Sequence, residues 1–555
     1  MEHMQPQEWD TLRQDTAQRI AAAEEAIGSN KILTAKNVVK LLEAVIRPGD
    51  KVNLEGCNQK QADFLAECLC RVNPQKVYGL HLVQSAISMD SHIKLFDKGI
   101  AETVDFSYSG AKAGALAQGV QSGKIKLGDI HTYLELFGRY FIDLIPRVSL
   151  IAACYADKDG NLYTGSNTED TPVIVEATKF KHGIVVAQVN EIVDKLPRVD
   201  IPSDWIDFIV QSPRPFYQEP LFTRDPALIT DAQVLRAMMA IKGIYGEYGV
   251  QTVNHGIGFD TAAIELLLPT YGEKLGLKGK ICSSFALNPH PTLIPAIESG
   301  WVKNIHCFGG ELGMEAYVKA RPDVFFVGPD GTPRSNRAYA QIAGHYAVDM
   351  FIGSTLQIDE DGNSSTATAN RIAGFGGAPN MGCNPQGRRH ASQAWLKCGR
   401  EACAAVAQGT MPRGRRLVVQ LQETFREKMA PGFVDRLDAW ELQEKAGLAL
   451  PPIMIYGDDL THIVTEEGIA YLHKCRDLEE RRAAIRAVAG YTSVGLRAVE
   501  EQTRDLRDRG IVKTPLDLEI DPASATRRML AAQNIRDLVK WSGGLYQPPG
   551  KFKNW

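Results

Sequence analysis

Short apolar runs that stop at glycine, asparagine or an Asp-Gly pair alternate along this chain with stretches whose apolar positions fall at helical spacing. Val148–Ala156 (VSLIAACYA), Gly183–Asn190 (GIVVAQVN), Ala347–Ile358 (AVDMFIGSTLQI) and Arg416–Gln422 (RLVVQLQ) read as buried strands. Ala62–Val72 (ADFLAECLCRV), ahead of them, reads as one of the alternating helices. Helices that return the chain between parallel strands cover both sheet faces, so the alternation predicts an α/β fold with largely parallel sheets. A long charged helix is expected over Asp477–Arg509, followed by a glycine- and proline-rich tail, SGGLYQPPGKFKNW, that docks or wraps without forming a domain.

The pattern repeats. DKDGNLYTGSNTED from Asp157 resembles DEDGNSSTATANRI from Asp359, each after an apolar run, at an offset of 202 residues (359 − 157). KVNLEGCN from Lys51 and QTVNHGIG from Gln251 set two strand-then-glycine segments 200 residues apart. Two matches at nearly one offset indicate a tandem duplication, to be sought before any other assignment. The expected division is a first domain over residues 1–225, a second over 226–540 and a tail over 541–555, with the boundary in QEPLFTRDPALITD, where prolines and a helix-starting aspartate gather.

At 555 residues, 44% apolar and 23% charged, the chain has the make-up of a globular protein of more than one domain. A formal net charge of -4 gives no global attraction to nucleic acid or an anionic membrane. No stretch sustains the roughly 18 apolar residues that cross a bilayer, and the polar start MEHMQPQEWD lacks a secretory pattern, so a cytoplasmic protein is expected. Ten cysteines without a C-x-x-C pair suggest neither a zinc ribbon nor a disulfide framework.

Ligands of open α/β sheets sit beyond the carboxyl ends of the strands, which draws attention to glycines placed just after strands. Four such loops stand out: LEGCN at Gly56, NHGIG at Gly256 and Gly258, CFGGELG at Gly309, Gly310 and Gly313, and AGFGGAPNMGCN at Gly374, Gly376, Gly377 and Gly382. Their backbone N–H groups can be aimed at a carbonyl, a phosphate or a carboxylate. No G-x-G-x-x-G with a suitably placed acid and no phosphate-loop G-x-x-x-x-G-K-[ST] is present, which disfavours dinucleotide and nucleoside triphosphate chemistry. His255 and His290 flank candidate loops without a visible carboxylate partner and are read as structural. Asn190 and Asn380 are placed to hydrogen-bond a carboxylate or a thioester carbonyl. The basic PRGRR at Pro412–Arg416 could receive an acidic carrier and is read first as a turn before the following strand.

DMFIGSTLQIDEDGN followed by GFGGAPN is similar to the second half of coenzyme A transferases, and DKDGNLYTGSNTED followed by GIVVAQVN to the first. With NHGIGFD, NPHPTLIPAIESG and GCNPQGRRHAS added, the chain resembles the malonate decarboxylase alpha-subunit family over nearly its whole length. The resemblance implies two tandem, similar open α/β domains with the active site at their junction. It also implies exchange of acetate for malonate on an acyl carrier protein thioester, as the first step of malonate decarboxylation. The carrier's phosphopantetheine-type prosthetic group, or coenzyme A, would bear the acyl group, and decarboxylase beta and gamma subunits would complete the assembly; no permanently bound cofactor and no metal is implied.

Related transferases with a covalent mechanism carry a glutamate nucleophile in a strand-end loop, which places Glu311 in that role, although a register shifted by a few residues puts Phe308 there instead. A direct route between the two carboxylates stays open beside the covalent one. Gly376, Gly377 and Ala378, with Gly56 and Cys57 in the first half, are the candidate oxyanion donors. Arg388 and Arg389, followed by His390, suit malonate's spare carboxylate or the carrier's phosphate. Three alternatives stay open at this point: a citrate or citramalate lyase alpha-type transferase, a free carboxylate coenzyme A transferase, and a noncatalytic scaffold that docks the carrier.

Overall fold

The computed structural model describes residues 9–56, 60–333, 348–381 and 417–553. The first half builds a sheet from β1 (Ile32–Leu33), β2 (Lys51–Leu54), β3 (Leu80–Ala86), β4 (Ala101–Tyr108), β5 (Lys126–Ile130), β6 (Val148–Asp157), β7 (Leu162–Tyr163), β8 (Ile184–Val193) and β9 (Phe208–Gln211). Its order is β1-β9-β8-β6-β2-β3-β4-β5, all parallel, with β7 antiparallel to β6. The second half builds another from β10 (Thr252–His255), β11 (Ser284–Ala286), β12 (Asn304–His306), β13 (Met350–Ser354), β14 (Gln357–Ile358), β15 (Ser364–Ser365), β16 (Ala367–Thr368), β17 (Arg371–Ile372), β18 (Leu417–Leu421), β19 (His462–Val464), β20 (Ile469–Tyr471) and β21 (Val512–Lys513). The main order there is β12-β11-β10-β13-β18-β19-β20-β21, and β14–β15 and β16–β17 pair separately.

The strand orders carry the duplication. In the first sheet β4-β3-β2-β6-β8-β9 and in the second β12-β11-β10-β13-β18-β19 follow the same path with parallel pairing throughout. The two Asp-Gly-Asn turns match atom for atom. Asn161 N donates to Asp157 Oδ1 at 2.8 Å and Asn363 N to Asp359 Oδ1 at 2.9 Å, while the turn glycines Gly160 and Gly362 hold φ of +86° and +82°. Each asparagine Oδ1 then accepts a distant amide at 3.0 Å, from Ser203 and from Gly457. The earlier match shifts by one residue, because Asn53 Nδ2 reaches Val83 O and Asn254 Nδ2 reaches Ala286 O across equivalent strand pairs, an offset of 201 (254 − 53).

One expectation is corrected. The charged helix over Asp477–Arg509 is two helices, Leu478–Val488 and Glu500–Asp508, because Gly490 takes a left-handed turn at φ +58° and ends the first. The tail belongs to the second domain's core: Tyr546 is fully buried, and Gln547 N donates to Gly313 O at 2.9 Å. A Cβ on Gly313 would lie 2.1 Å from Gln547 O, so the loop and the tail fit only with glycine there. Removing an aromatic side chain from such a site costs about 3–5 kcal/mol. Tyr546→Ala is therefore expected to lower unfolding free energy by about that amount in urea melts, and a change below about 1 kcal/mol would place the tail outside the core.

Candidate functional site

The two equivalent strand ends differ in what they hold. Beyond β2, Glu55 is sealed: Lys60 Nζ lies 3.2 Å from its carboxylate, Thr171 Oγ1 donates to it at 2.5 Å and Ala152 N at 2.7 Å. Burial raises the Glu55 pKa, which Lys60 and these donors oppose. Gly56 closes the strand end, its carbonyl taking the Ala86 N–H at 2.6 Å, and a Cβ there would lie 2.7 Å from Ala86 O. Beyond β10 and β13 the corresponding space is open, forming a cavity of about 170 Å³ between the two domains.

Its walls come from both halves of the chain. Tyr108 and Tyr133 belong to the first domain, Leu221 and Phe222 to the connecting segment, and Gly256, Asn288, Phe308 and the Gly374–Ala378 loop to the second. The loop is stitched onto first-domain strand ends. Phe375 N and Gly376 N both donate to Ser107 O, at 2.7 and 2.8 Å, Ser109 N donates to Ala373 O at 2.8 Å, and Tyr133 N to Gly376 O at 3.2 Å. Positive φ at Gly374 (+75°) and Gly376 (+57°) lets the loop turn back into this position.

Those bonds decide which amides remain for a substrate. Gly376 N–H is committed to Ser107 and Ala378 N–H to Phe375 O at 3.3 Å, so among the described residues Gly377 is the member of the trio with no backbone acceptor. A free N–H on a glycine at the mouth of a short helix, Ala378–Met381, is the donor geometry that a developing oxyanion needs.

Of the residues singled out from the sequence, the structure brings Gly256, Gly374, Gly376, Gly377 and Ala378 to the cavity wall. Gly309 and Gly310 serve domain packing instead: Gly310 N donates to Asn167 Oδ1 at 2.7 Å, and a Cβ on Gly309 would lie 2.0 Å from Glu169 Oε1. Asn190 lines a separate open groove of about 1170 Å³ and accepts the Phe216 N–H at 2.8 Å. Gly56, Gly258 and Asn380 do not line the cavity. Cys57, Arg388, Arg389 and His390, with Gly382 and the PRGRR segment, lie outside the described residues.

Glu311, read from the sequence as the candidate nucleophile, lies among packing contacts. It is buried and absent from the cavity wall, and its Oε1 accepts from Phe222 N at 3.2 Å, Thr223 N at 2.9 Å and Thr223 Oγ1 at 2.8 Å. The carboxylate is a clasp on the inter-domain segment, while Phe308, the alternative in the shifted register, is the residue that faces the cavity. Glu311→Gln should keep turnover within about threefold while lowering stability by roughly 1.5–3 kcal/mol, the worth of hydrogen bonds to a charged group. Steady-state rates and borohydride treatment of the acylated protein check this, since a glutamyl thioester is reducible. Trapping at Glu311 together with a dead glutamine variant would restore it as nucleophile.

Both histidines have a carboxylate partner, which the sequence did not show. Glu265, fully buried on the helix Phe259–Leu267, takes His255 Nδ1 at 2.9 Å and His290 Nδ1 at 2.8 Å, plus a short bond from Thr292. Burial alone would raise its pKa, but the charge of His290 and the bonds from both rings outweigh burial and hold it at about 2. His290 in turn stacks on Phe222 with ring centroids 5.2 Å apart, so this buried network backs a cavity wall.

Among the described residues no group of side chains has the make-up of a metal site, and no helix is long and apolar enough to cross a membrane. A profile of the family described as "Malonate decarboxylase, alpha subunit, transporter" matches residues 8–555. The chain is 67% identical to the acetyl-S-ACP:malonate ACP transferase of Malonomonas rubra over 99% of both chains. Among solved structures it is similar to a Pseudomonas malonate decarboxylase hetero-tetramer in complex with malonate, at 55% identity and a TM-score of 0.92, covering 99% of this chain and 100% of that one. It is also similar to the alpha subunit of a malonate decarboxylase from Acinetobacter baumannii, at 55% identity and a TM-score of 0.91, with coverage of 99% and 100%.

Proposed function

Because the chain belongs to the malonate decarboxylase alpha-subunit family, we propose that it exchanges acetate for malonate on an acyl carrier protein thioester, releasing acetate and leaving a malonyl thioester. The observation that carries this reading is the inter-domain cavity lined by Gly377, whose N–H has no backbone acceptor among the described residues. One malonate carboxylate oxygen attacks the acetyl carbonyl carbon, the carbonyl electrons pass to the oxygen, and the tetrahedral centre collapses to an acetyl-malonyl anhydride and the carrier thiolate. The thiolate then attacks the malonyl carbonyl and expels acetate. The thioester's free energy is conserved, so no ATP is needed.

Each attack builds negative charge on one oxygen, and a preorganised donor in a water-poor site stabilises that charge; losing such a donor costs about 3 kcal/mol. The walls supply the water-poor site, since Phe222, Phe308, Phe351 and Met454 face the same space as the glycine loop. A cavity of roughly 150 Å³ holds a benzene-sized ligand, which suits a three-carbon diacid and crowds a six-carbon tricarboxylate. Arg388 and Arg389 are our candidates for malonate's second carboxylate, as their forked geometry suits it.

We further infer that the chain works in an assembly. The Pseudomonas relative is a hetero-tetramer, and here Tyr491 and Leu496, 81% and 70% exposed, lie in the turn between the two charged helices, where a partner subunit would cover them. Six described cysteines carry free thiols, which suits a reducing cytoplasm.

The reading is tested by incubating the purified chain with acetyl carrier protein, or acetyl-coenzyme A, and a panel of malonate, citrate, citramalate and acetate. Malonyl thioester should be the fastest new species by mass spectrometry. Faster formation of a citryl or citramalyl thioester would overturn the malonate assignment, and no new thioester at all would favour the noncatalytic scaffold.

A further inference from the structure

Tyr108 ends β4 in the first domain and lines the cavity from the side opposite in sequence to the glycine loop, with which its backbone forms a bridge at Gly374. Its backbone is fixed: the carbonyl takes the Ile87 N–H at 2.9 Å. Its ring packs against Gly110, where an added Cβ would stand 3.3 Å from Cε1 and 3.4 Å from the hydroxyl oxygen, so the bare glycine makes room for it. The hydroxyl makes no hydrogen bond to any described residue. Half-buried phenols ordinarily find a partner, and one left open at a cavity wall is the pattern of a group reserved for a ligand.

Three other polar side chains at the wall have a donor engaged elsewhere. Asn254 Nδ2 donates to Ala286 O at 2.6 Å, Asn288 Nδ2 to Gly310 O at 3.0 Å, and the Thr366 hydroxyl to Gly374 O. Burial raises the Tyr108 pKa above its ordinary value, against the opposing fields of Arg224 and Arg371, so the phenol is protonated at neutral pH and donates. The same ring also lines a small void with Ser88, Gly110 and Leu221.

Resting on the transfer reading above, we propose that the Tyr108 hydroxyl is a catalytic oxyanion donor, supplied by the first domain to the tetrahedral centre that Gly377 N–H serves from the second. Neither domain then holds a complete oxyanion site. The duplication supplies two sheets, and the reaction uses one strand end from each.

The test compares Tyr108→Phe with the wild type in the malonyl-transfer assay, together with the protein carrying a fluorinated tyrosine at position 108. Tyr108→Phe should lower kcat about 100- to 1000-fold, with the malonate KM within twofold and an unchanged melting temperature. The fluorinated phenol, being more acidic, should move the alkaline limb of the pH–kcat profile to lower pH, which a packing role would not do. A phenylalanine variant that keeps more than a third of wild-type kcat, or one that raises KM with kcat intact, overturns the proposal. If that variant melts early, the fluorinated protein decides: an unmoved alkaline limb overturns it. A wild type that forms no malonyl thioester would instead sink the transfer reading itself, an outcome distinct from these.

Discussion

Gly374→Ala should cut malonyl transfer by about 100-fold or more, because it misplaces the loop that carries Gly377, and displacements on the order of 1 Å cost that much. Two independent penalties act at this position. An L-residue at φ +75° is strained by roughly 1–3 kcal/mol, and the added Cβ would lie 2.4 Å from Ser107 O and 3.0 Å from the Phe106 ring. Ser107 O is a strand-end carbonyl already accepting from Phe375 N and Gly376 N, so it cannot retreat without breaking both bonds. The loop lifts instead, and Gly377 N–H leaves the cavity wall. Gly138→Ala is the control: that glycine sits within the helix Tyr133–Ile142 with nothing within 4 Å of its added Cβ, and the change should be neutral or stabilising by up to about 1 kcal/mol. Transfer rates within threefold of wild type for Gly374→Ala would remove this loop from the site.

Glu265→Gln should destabilise the protein by about 3–5 kcal/mol, the cost of breaking a buried ionic contact by deleting one partner. The amide keeps the size but not the charge that holds His255 and His290, 2.9 and 2.8 Å away. The pH dependence follows from a carboxyl held at about 2 in place of its ordinary 4.5. A depressed carboxyl stabilises the folded state fully above the unfolded value and loses that contribution as pH falls through the folded one. The gap between wild type and variant in denaturant melts should therefore be widest above about pH 4.5 and close as the pH falls toward 2. A gap that stays constant over that window would show that the charge of Glu265 does not matter. Activity should fall too, since His290 backs the Phe222 wall.

Much of the fold could be read from the strands. Buried parallel strands are apolar on both faces, so β6, β8 and β18 stand out as runs, and the Asp-Gly-Asn turns that follow β6 and the second-half strand β14 carry a chemistry that only a few residue types supply. The wall of the candidate cavity was legible only where a glycine answers a local backbone need, as at Gly374 and Gly376. Gly309 and Gly310 look the same in sequence, yet they are small because Glu169 and Asn167 of the other domain press on them, a long-range reason with no local signature. The same blindness hid Glu265 from His290, which lies 25 positions away and meets it through tertiary packing. Tyr108 has a local signature as well, since it ends a strand just before a glycine, in SYSG.

The bonds from Ser107 and Ser109 to residues 373–376 join segments more than 260 positions apart, and that separation orders events during synthesis. A chain emerging from the ribosome completes β4 long before its partner loop exists, and domains fold roughly in the order they appear. The nascent first domain presents Tyr108 beside vacant backbone groups but no Gly377. On the site proposed above, catalytic competence would arrive in a single late step, when the second domain docks, and half-made chains would not squander activated carrier by hydrolysing it.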